Sequence, residues 1–304
     1  MSAPTLHVHD EVGTALAAGR AVVALETTLL SHGMPYPQNL QTARAVEAAV
    51  RADGAVPATI AIVRGAIHVG LTDEQLTHIA TATSVLKLSR ADLAYAVANG
   101  RDGATTVAAT MLCARWAGIE VFATGGIGGV HRGAQETMDI SADIEELART
   151  PVTVVCAGAK ALLDIPKTLE MLETLGVPVI GYRTDEFPAF WSRSSGLRCP
   201  LRLDAPDAIA ALIRAQRGLA LDTGILIANP IDARDEIPRA DMEETIRAAI
   251  EQSTQAGIVG KAVTPWLLAR IAAMTAGRSL TTNMALIEQN AHLAARIAVA
   301  LTAD

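Results

Sequence analysis

PVTVVCAGAKALLDIPKTLEMLETL, Pro151 to Leu175, is the stretch whose reading decides the fold. A β-branched run (Val152, Val154, Val155) leads through Cys156-Ala157-Gly158-Ala159 to Lys160, and a helical segment opens near Asp164-Ile165-Pro166. Such a run, bounded by small residues and followed by a helix start, reads as a buried strand feeding a helix. Lys160 then stands just past the carboxyl end of the strand, with almost nothing polar beside it. Desolvation disfavours the charged form of an amine and makes it a better nucleophile. The competing reading is a lysine whose stem packs on apolar neighbours while its ammonium reaches water.

The same punctuation recurs along the chain. Arg20 to Leu25 is a second apolar run, and it delivers Glu26 to a strand end beside the irregular loop Ser31–Pro37. Asn39 is expected to cap a helix that ends at Gly54. Ala58–Val63 and Ala66–Val69 read as a hairpin around Arg64-Gly65. Gly103–Ala117 is apolar nearly all round and is expected to be a buried helix. Ile119–Thr124, Val177–Tyr182 and Gly224–Ala228 are further strand-like runs. Asp241–Gln255, Thr264–Thr275 and Asn283–Leu301 have helical periodicity, with Asn283 expected at the start of the last. Strands alternating with helices predict one α/β domain over residues 1–304, a three-layer α/β/α arrangement with a largely parallel central sheet plus a local hairpin. In such sheets ligands bind outside the carboxyl ends of the strands.

Two stretches between these runs carry candidate chemistry. Gly125–Gly133 holds five glycines in nine residues, followed by or including His131 and Arg132. Its backbone N–H groups are able to approach an anion. The dinucleotide fingerprint fails at His131, and the P-loop pattern fails at Ala134, so no nucleotide cofactor is expected and a phosphate on a small substrate is favoured. Asp139, Ser141 and Asp143 alternate, so an extended backbone would turn all three to one side as oxygen ligands for a hard divalent cation. Helix capping by Ser141 or Asp143 explains the same residues equally well. Lys87, with Arg90, adds local positive charge, or is part of a solvated basic face.

Composition limits the function classes. Half of the residues are hydrophobic but only 3% are aromatic, so the core is built from Ala, Val, Ile and Leu. A net charge of −7 offers no overall attraction for nucleic acid. Cys113, Cys156 and Cys199 are widely spaced and read as reduced thiols. With no apolar run near the roughly 20 residues of a membrane span and no leader pattern at the start, a soluble, cytoplasmic protein with no membrane partner is expected.

ALETTLLSHGMPYPQN, TGGIGGVHRGAQETMDISADIEEL, VVCAGAKALLDIPKTLEMLETLGVPVIGY and EFPAFW resemble the pseudouridine-5′-phosphate glycosidase family, and the similarity runs from about Glu11 to the final helix. The same superfamily includes an indigoidine-biosynthesis protein. The resemblance implies reversible cleavage of pseudouridine 5′-phosphate to uracil and ribose 5-phosphate, with a divalent metal, commonly Mn²⁺, in a homotrimer. It implies Lys160 as nucleophile, Glu26 as proton donor and Asp139 as metal ligand. It also implies substrate contacts at Lys87, Val107, Ser141, Ala142, Asp143 and Asn283. His131 and Lys87 are the candidates for the surroundings of the phosphate. The rival readings are a related phosphosugar or Schiff-base enzyme of indigoidine-type metabolism and a non-catalytic sugar-phosphate-binding protein.

Overall fold

Val22–Leu25 and Thr153–Cys156 are buried at every position, as strands covered on both faces must be. They belong to an eleven-stranded sheet in the computed structural model, which describes residues 4–303. The strands are β1 (Leu6–Val8), β2 (Val22–Leu25), β3 (Val56–Val63), β4 (Ala66–Val69), β5 (Leu86–Leu88), β6 (Gly103–Thr105), β7 (Val121–Ala123), β8 (Thr153–Cys156), β9 (Val179–Tyr182), β10 (Leu201–Leu203) and β11 (Ile225–Ala228). Their order is β1-β4-β3-β2-β7-β8-β11-β9-β10, with β6 on β3 and β5 on β6. From β3 through β10 every neighbour along that path is parallel. The β3–β4 hairpin is antiparallel, as the sequence predicts.

Helices cover the sheet in two groups. The long helix Arg278–Thr302 packs on β2, β7 and β8 and against the helices Gln38–Ala52 and Pro206–Gly218. The helix Val107–Ala117 packs on β2, β3 and β4 and against Ala142–Arg149. One contiguous apolar core runs from Val12 to Ala298. The mixed α/β fold with a mostly parallel sheet is therefore the one the sequence predicts.

Local expectations differ in four places, each with a physical cause. Gly103–Thr105 is a strand, not the first turn of a helix: a Cβ on Gly103 would lie 2.1 Å from Leu88 Cδ1, so glycine lets β5 lie closely against β6. The helix starts only after Thr106, whose hydroxyl accepts from the N–H of Ala109. Asn39 is no cap. Buried in the first turn, it donates its side-chain amide to Leu30 O (2.6 Å) and Ala80 O (2.9 Å), tying two segments to its helix. Asn283 also lies inside a helix, which begins at Arg278 after the left-handed Gly277. Asp139–Asp143 is not extended throughout: Ile140 pairs with Val130, but Ser141 caps the helix Ala142–Arg149 and Asp143 lies in its first turn.

β3 meets two strands along one edge. β2 runs parallel along Val56–Thr59, and β6 comes in antiparallel at Ala61 and Ile62. Where they abut, the Thr27 hydroxyl donates to Ile60 O (2.8 Å) and accepts from the Thr105 N–H (3.0 Å), while the Thr105 hydroxyl donates to the same Ile60 O (2.7 Å). This junction turns the chain after β2 and the chain after β6 to one side of the sheet. Thr27→Val keeps the shape but strands the buried Thr105 N–H, which costs about 1–3 kcal/mol. Thermal unfolding should show a lower Tm, by roughly 2–4 °C for each kcal/mol in a domain of this size class. An unchanged Tm would mean the junction is held by packing alone.

Candidate active site

Strand ends, helix starts and the loops that follow them deliver most of the functional side chains predicted from the sequence; Lys87 stands within β5 and Asn283 within the last helix. Glu26 directly follows β2. The hydroxyl of Thr124, one residue past the neighbouring β7, donates to Glu26 Oε1. Thr124 is itself fixed on both sides of its peptide: its N–H donates to Val155 O (3.0 Å), and its carbonyl accepts from Asn290 Nδ2 (2.8 Å). Burial raises the pKa of Glu26 above that of a free glutamate. The nearby Lys160 charge and bonds from Thr124 and Thr28 oppose this, and the Asp143 charge adds to it. Burial wins, so the acid holds its proton to higher pH.

Lys160 is placed by the glycine loop. Past β8 the chain pairs once more, Ala159 with Ile127, and the Lys160 N–H donates to Ile127 O (3.1 Å). Gly158 is left-handed (φ +84°), and a Cβ there would lie 2.3 Å from Pro188 O, so this turn requires glycine. Among the described residues, the Lys160 ammonium makes no hydrogen bond or ion pair. Its charge acts on Glu26, Lys87 and His131.

The glycines of the loop let other groups approach, and the N–H groups of Gly125 and Gly126, two residues that line the site's cavity, have no partner among the described residues. A Cβ on Gly128 would lie 2.2 Å from Ser141 Oγ, and one on Gly129 would lie 2.4 Å from Thr168 Oγ1. The N–H groups of Ile127, Gly128, Val130 and His131 are already bonded inside the protein. Asp143 is buried and accepts from two of the site's backbone amides, Ala108 (2.9 Å) and Gly128 (2.8 Å). The expected cation ligands thus separate: Ser141 caps, Asp143 staples, and only Asp139 keeps its carboxylate free of such duties.

His131 lies 3.9 Å from Asp139 (Nδ1 to Oδ2), and its pKa is lowered by burial against the opposing pull of Asp139. Burial and then the Lys160 charge lower the pKa of Lys87, whose ammonium donates to Lys261 O (3.2 Å). Val107 opens its helix. All ten predicted residues (Glu26, Lys87, Val107, His131, Asp139, Ser141, Ala142, Asp143, Lys160 and Asn283) line one cavity of about 330 Å³. Thr28, His32, Phe190 and Lys261 line it as well and were missed. Phe190, held at φ +60° with its N–H on Ala157 O (3.0 Å), comes from the aromatic loop Glu186–Trp191, EFPAFW. Among the described residues no group of three or more His, Cys, Asp or Glu is placed to hold a metal. One free carboxylate still suits a hard cation that keeps most of its water.

The Indigoidine synthase A like protein family matches residues 11–300. The chain belongs to the indigoidine synthase A-like family. Within it, the pseudouridine-5′-phosphate glycosidase of Methylobacterium nodulans (strain LMG 21967 / CNCM I-2342 / ORS 2060) is 64% identical over 99% of this chain and 89% of its own length. The protein of the same name from Solibacter usitatus (strain Ellin6076) is 61% identical over 97% of this chain and 99% of its own. Among solved structures, the prealnumycin C-glycosynthase AlnA, in complex with ribulose 5-phosphate, superposes with a TM-score of 0.90 at 42% identity and 98% coverage of both chains. An indigoidine synthase A-like protein from Thermotoga maritima MSB8 also gives 0.90, at 34% identity, over 100% of this chain and 98% of its own.

A glutamic acid that keeps its proton by burial leaves a mark on stability. Unfolded, Glu26 titrates near the ordinary 4.5; folded, it titrates higher, so the folded state binds more protons between the two values. Stability therefore falls as pH rises through that window and stays lowered above it. Glu26→Gln removes this loss. Its Tm relative to the parent should be unshifted by this effect near pH 4 and should rise with pH, as thermal melts across pH will show; a relative Tm that falls as pH rises would mean an ionised, paired carboxylate.

Proposed function

We propose that this member of the indigoidine synthase A-like family is a C-glycosidase that reversibly cleaves pseudouridine 5′-phosphate to uracil and ribose 5-phosphate, acting in the cytoplasm as a homotrimer. The observation that carries the reading is the shared cavity in which the buried Glu26 and an unpaired Lys160 meet. The names of the 64% and 61% identical relatives support it.

Most glycosidases protonate a leaving oxygen. Here the leaving atom is C5 of a pyrimidine, which has no lone pair to protonate. In the proposed path Glu26 gives its proton to the ribose ring oxygen as the C1′–O bond opens, and the pyrimidine shares the positive charge left at C1′. The Lys160 amine adds to C1′, forming a C–N bond, and its proton passes to the Glu26 carboxylate. That proton then goes to C5, and the nitrogen lone pair breaks the C1′–C5 bond, releasing uracil and leaving an imine. Water hydrolyses the imine to ribose 5-phosphate and free lysine. Lys87 and His131 are assigned to the surroundings of the phosphate, and Val107, Ser141, Ala142, Asp143 and Asn283 to the rest of the substrate. Asp139 would hold a divalent cation, Mn²⁺ or a similar ion, whose charge polarises nearby oxygen atoms. No nucleotide cofactor is needed.

Borohydride added during turnover should trap a ribose-phosphate adduct that mass spectrometry maps to Lys160, and Lys160→Ala should lose both the adduct and uracil release. An active Lys160→Ala enzyme would sink the covalent path. Chelation should abolish uracil release and Mn²⁺ restore it, with Asp139→Ala insensitive to the added ion; full activity after exhaustive chelation would remove the metal from the scheme. A second reading, a related phosphosugar enzyme that makes rather than breaks a C-glycoside, has the similarity to the prealnumycin C-glycosynthase in its favour. Turnover of pseudouridine 5′-phosphate compared with other C-glycosides separates the two.

A further inference from the structure

Trp191 is the largest fully buried side chain in the protein's described core, and its one polar atom has one partner: Nε1–H donates to Asn283 Oδ1 at 2.6 Å. An indole nitrogen can only donate, so Asn283 must turn its oxygen toward Trp191 whichever way the amide is first drawn. Its NH₂ then points elsewhere. Asn283 is 6% exposed, yet its Nδ2 makes no hydrogen bond among the described residues, and no side-chain nitrogen or oxygen among them is both buried and unpartnered. The side chain lines the cavity, so the open direction of the NH₂ is the cavity itself.

We infer that Trp191 is a positioning residue: it locks the Asn283 amide so that two N–H donors, and no acceptor, face the bound substrate, which selects an acceptor oxygen at that point. The inference rests on the reading of the cavity as the site of uracil release. The lock is well supported. Trp191 packs edge-on against Phe190 (ring centroids 5.1 Å apart, 64° between planes), and Phe190 lines the same cavity. The Trp191 carbonyl accepts from the Ile237 N–H (2.9 Å), and the Ser192 hydroxyl donates to Ile237 O (2.7 Å), so the loop is fastened from behind. Asn283 sits within the helix Arg278–Thr302, where its backbone cannot turn to compensate. Without the indole N–H the amide is free to flip, and a flipped amide sets its oxygen against the substrate's.

The test is a double-mutant cycle read by uracil release. Wild-type turnover of pseudouridine 5′-phosphate is measured first; no turnover would fail the functional reading and leave the geometry of the lock aside. With turnover established, Trp191→Phe keeps an aromatic ring and removes the donor. It should raise KM about tenfold with kcat within about twofold. In an Asn283→Ala background the same substitution should change KM by less than about twofold, because Trp191 acts only through Asn283. Equal effects in both backgrounds, or no effect in the parent, would overturn the inference. Asn283→Asp provides a variant that retains the Trp191 bond and so guards against a failure to fold: it presents a carboxylate oxygen to the cavity and should lower kcat/KM at least about 100-fold. A loss of twofold or less would show that the donors are not used.

Discussion

The Asp143 carboxylate is the fastening on which the site depends. Its two oxygens take the N–H of Ala108, in the first turn of one helix, and the N–H of Gly128, in the glycine loop. Gly128 adjoins Ile127, and Ile127 in turn accepts from the Lys160 N–H. Three chain segments, already packed or paired beside one another, are thereby tied at one point. Hydrogen bonds to a carboxylate contribute more than neutral ones, and a buried pair of amides left without it would each carry a desolvation cost. The same group has an electrostatic consequence: its charge helps to keep the proton on Glu26. One side chain thus helps fix the geometry around the lysine and adds, as the smallest contribution, to the raised pKa of the acid.

Opposing forces act on Glu26, and their balance decides what the cavity can do. The Lys160 charge and the Thr124 and Thr28 hydroxyls favour the carboxylate, whereas removal from water favours the acid and is the larger effect. The Lys160 side-chain nitrogen has no hydrogen-bond or ion-pair partner among the described residues, so no contact within the protein competes with a substrate for it. Lys87 and His131, both with pKa values lowered by burial, share the same limited space with the carboxylates of Asp139 and Asp143.

The strand-end residues were legible in sequence because each follows an unbroken apolar run: Val22–Leu25 places Glu26, and Thr153–Cys156 leads to Lys160. The hairpin was legible for the same reason. The short strands β1, β5 and β10 were not, since three residues carry no periodicity to read. The helix reading of Gly103–Thr105 failed because a strand that packs through glycine has the same apolar composition as a helix start. Glycines in the Gly125–Gly133 loop suggested backbone that approaches an anion; the room they also provide for Ser141, Thr168 and Phe190 was not legible. Composition identifies where a Cβ is forbidden without saying what stands in its place. Thr124, Asn290 and Trp191 were missed altogether, because their roles are contacts between distant segments.

The helix Arg278–Thr302 shows why those missed contacts matter. Asn283 and Asn290 are seven residues apart, two turns, so they lie on one face of a helix that otherwise buries leucine, isoleucine and alanine. Asparagine there weakens the helix slightly and removes apolar area from the core. Each takes a partner from a distant segment, the Asn283 NH₂ alone having none among the described residues. Asn290 joins Thr124 O (2.8 Å) to the side chain of Asn229 (3.0 Å), linking the ends of β7 and β11, and Asn283 takes the Trp191 donor. A helix held only by apolar contacts could slide or rotate by a fraction of a turn with modest loss. Two amides with fixed partners two turns apart oppose that motion, so the helix sets the spacing between the Thr124–Glu26 pair and the aromatic loop.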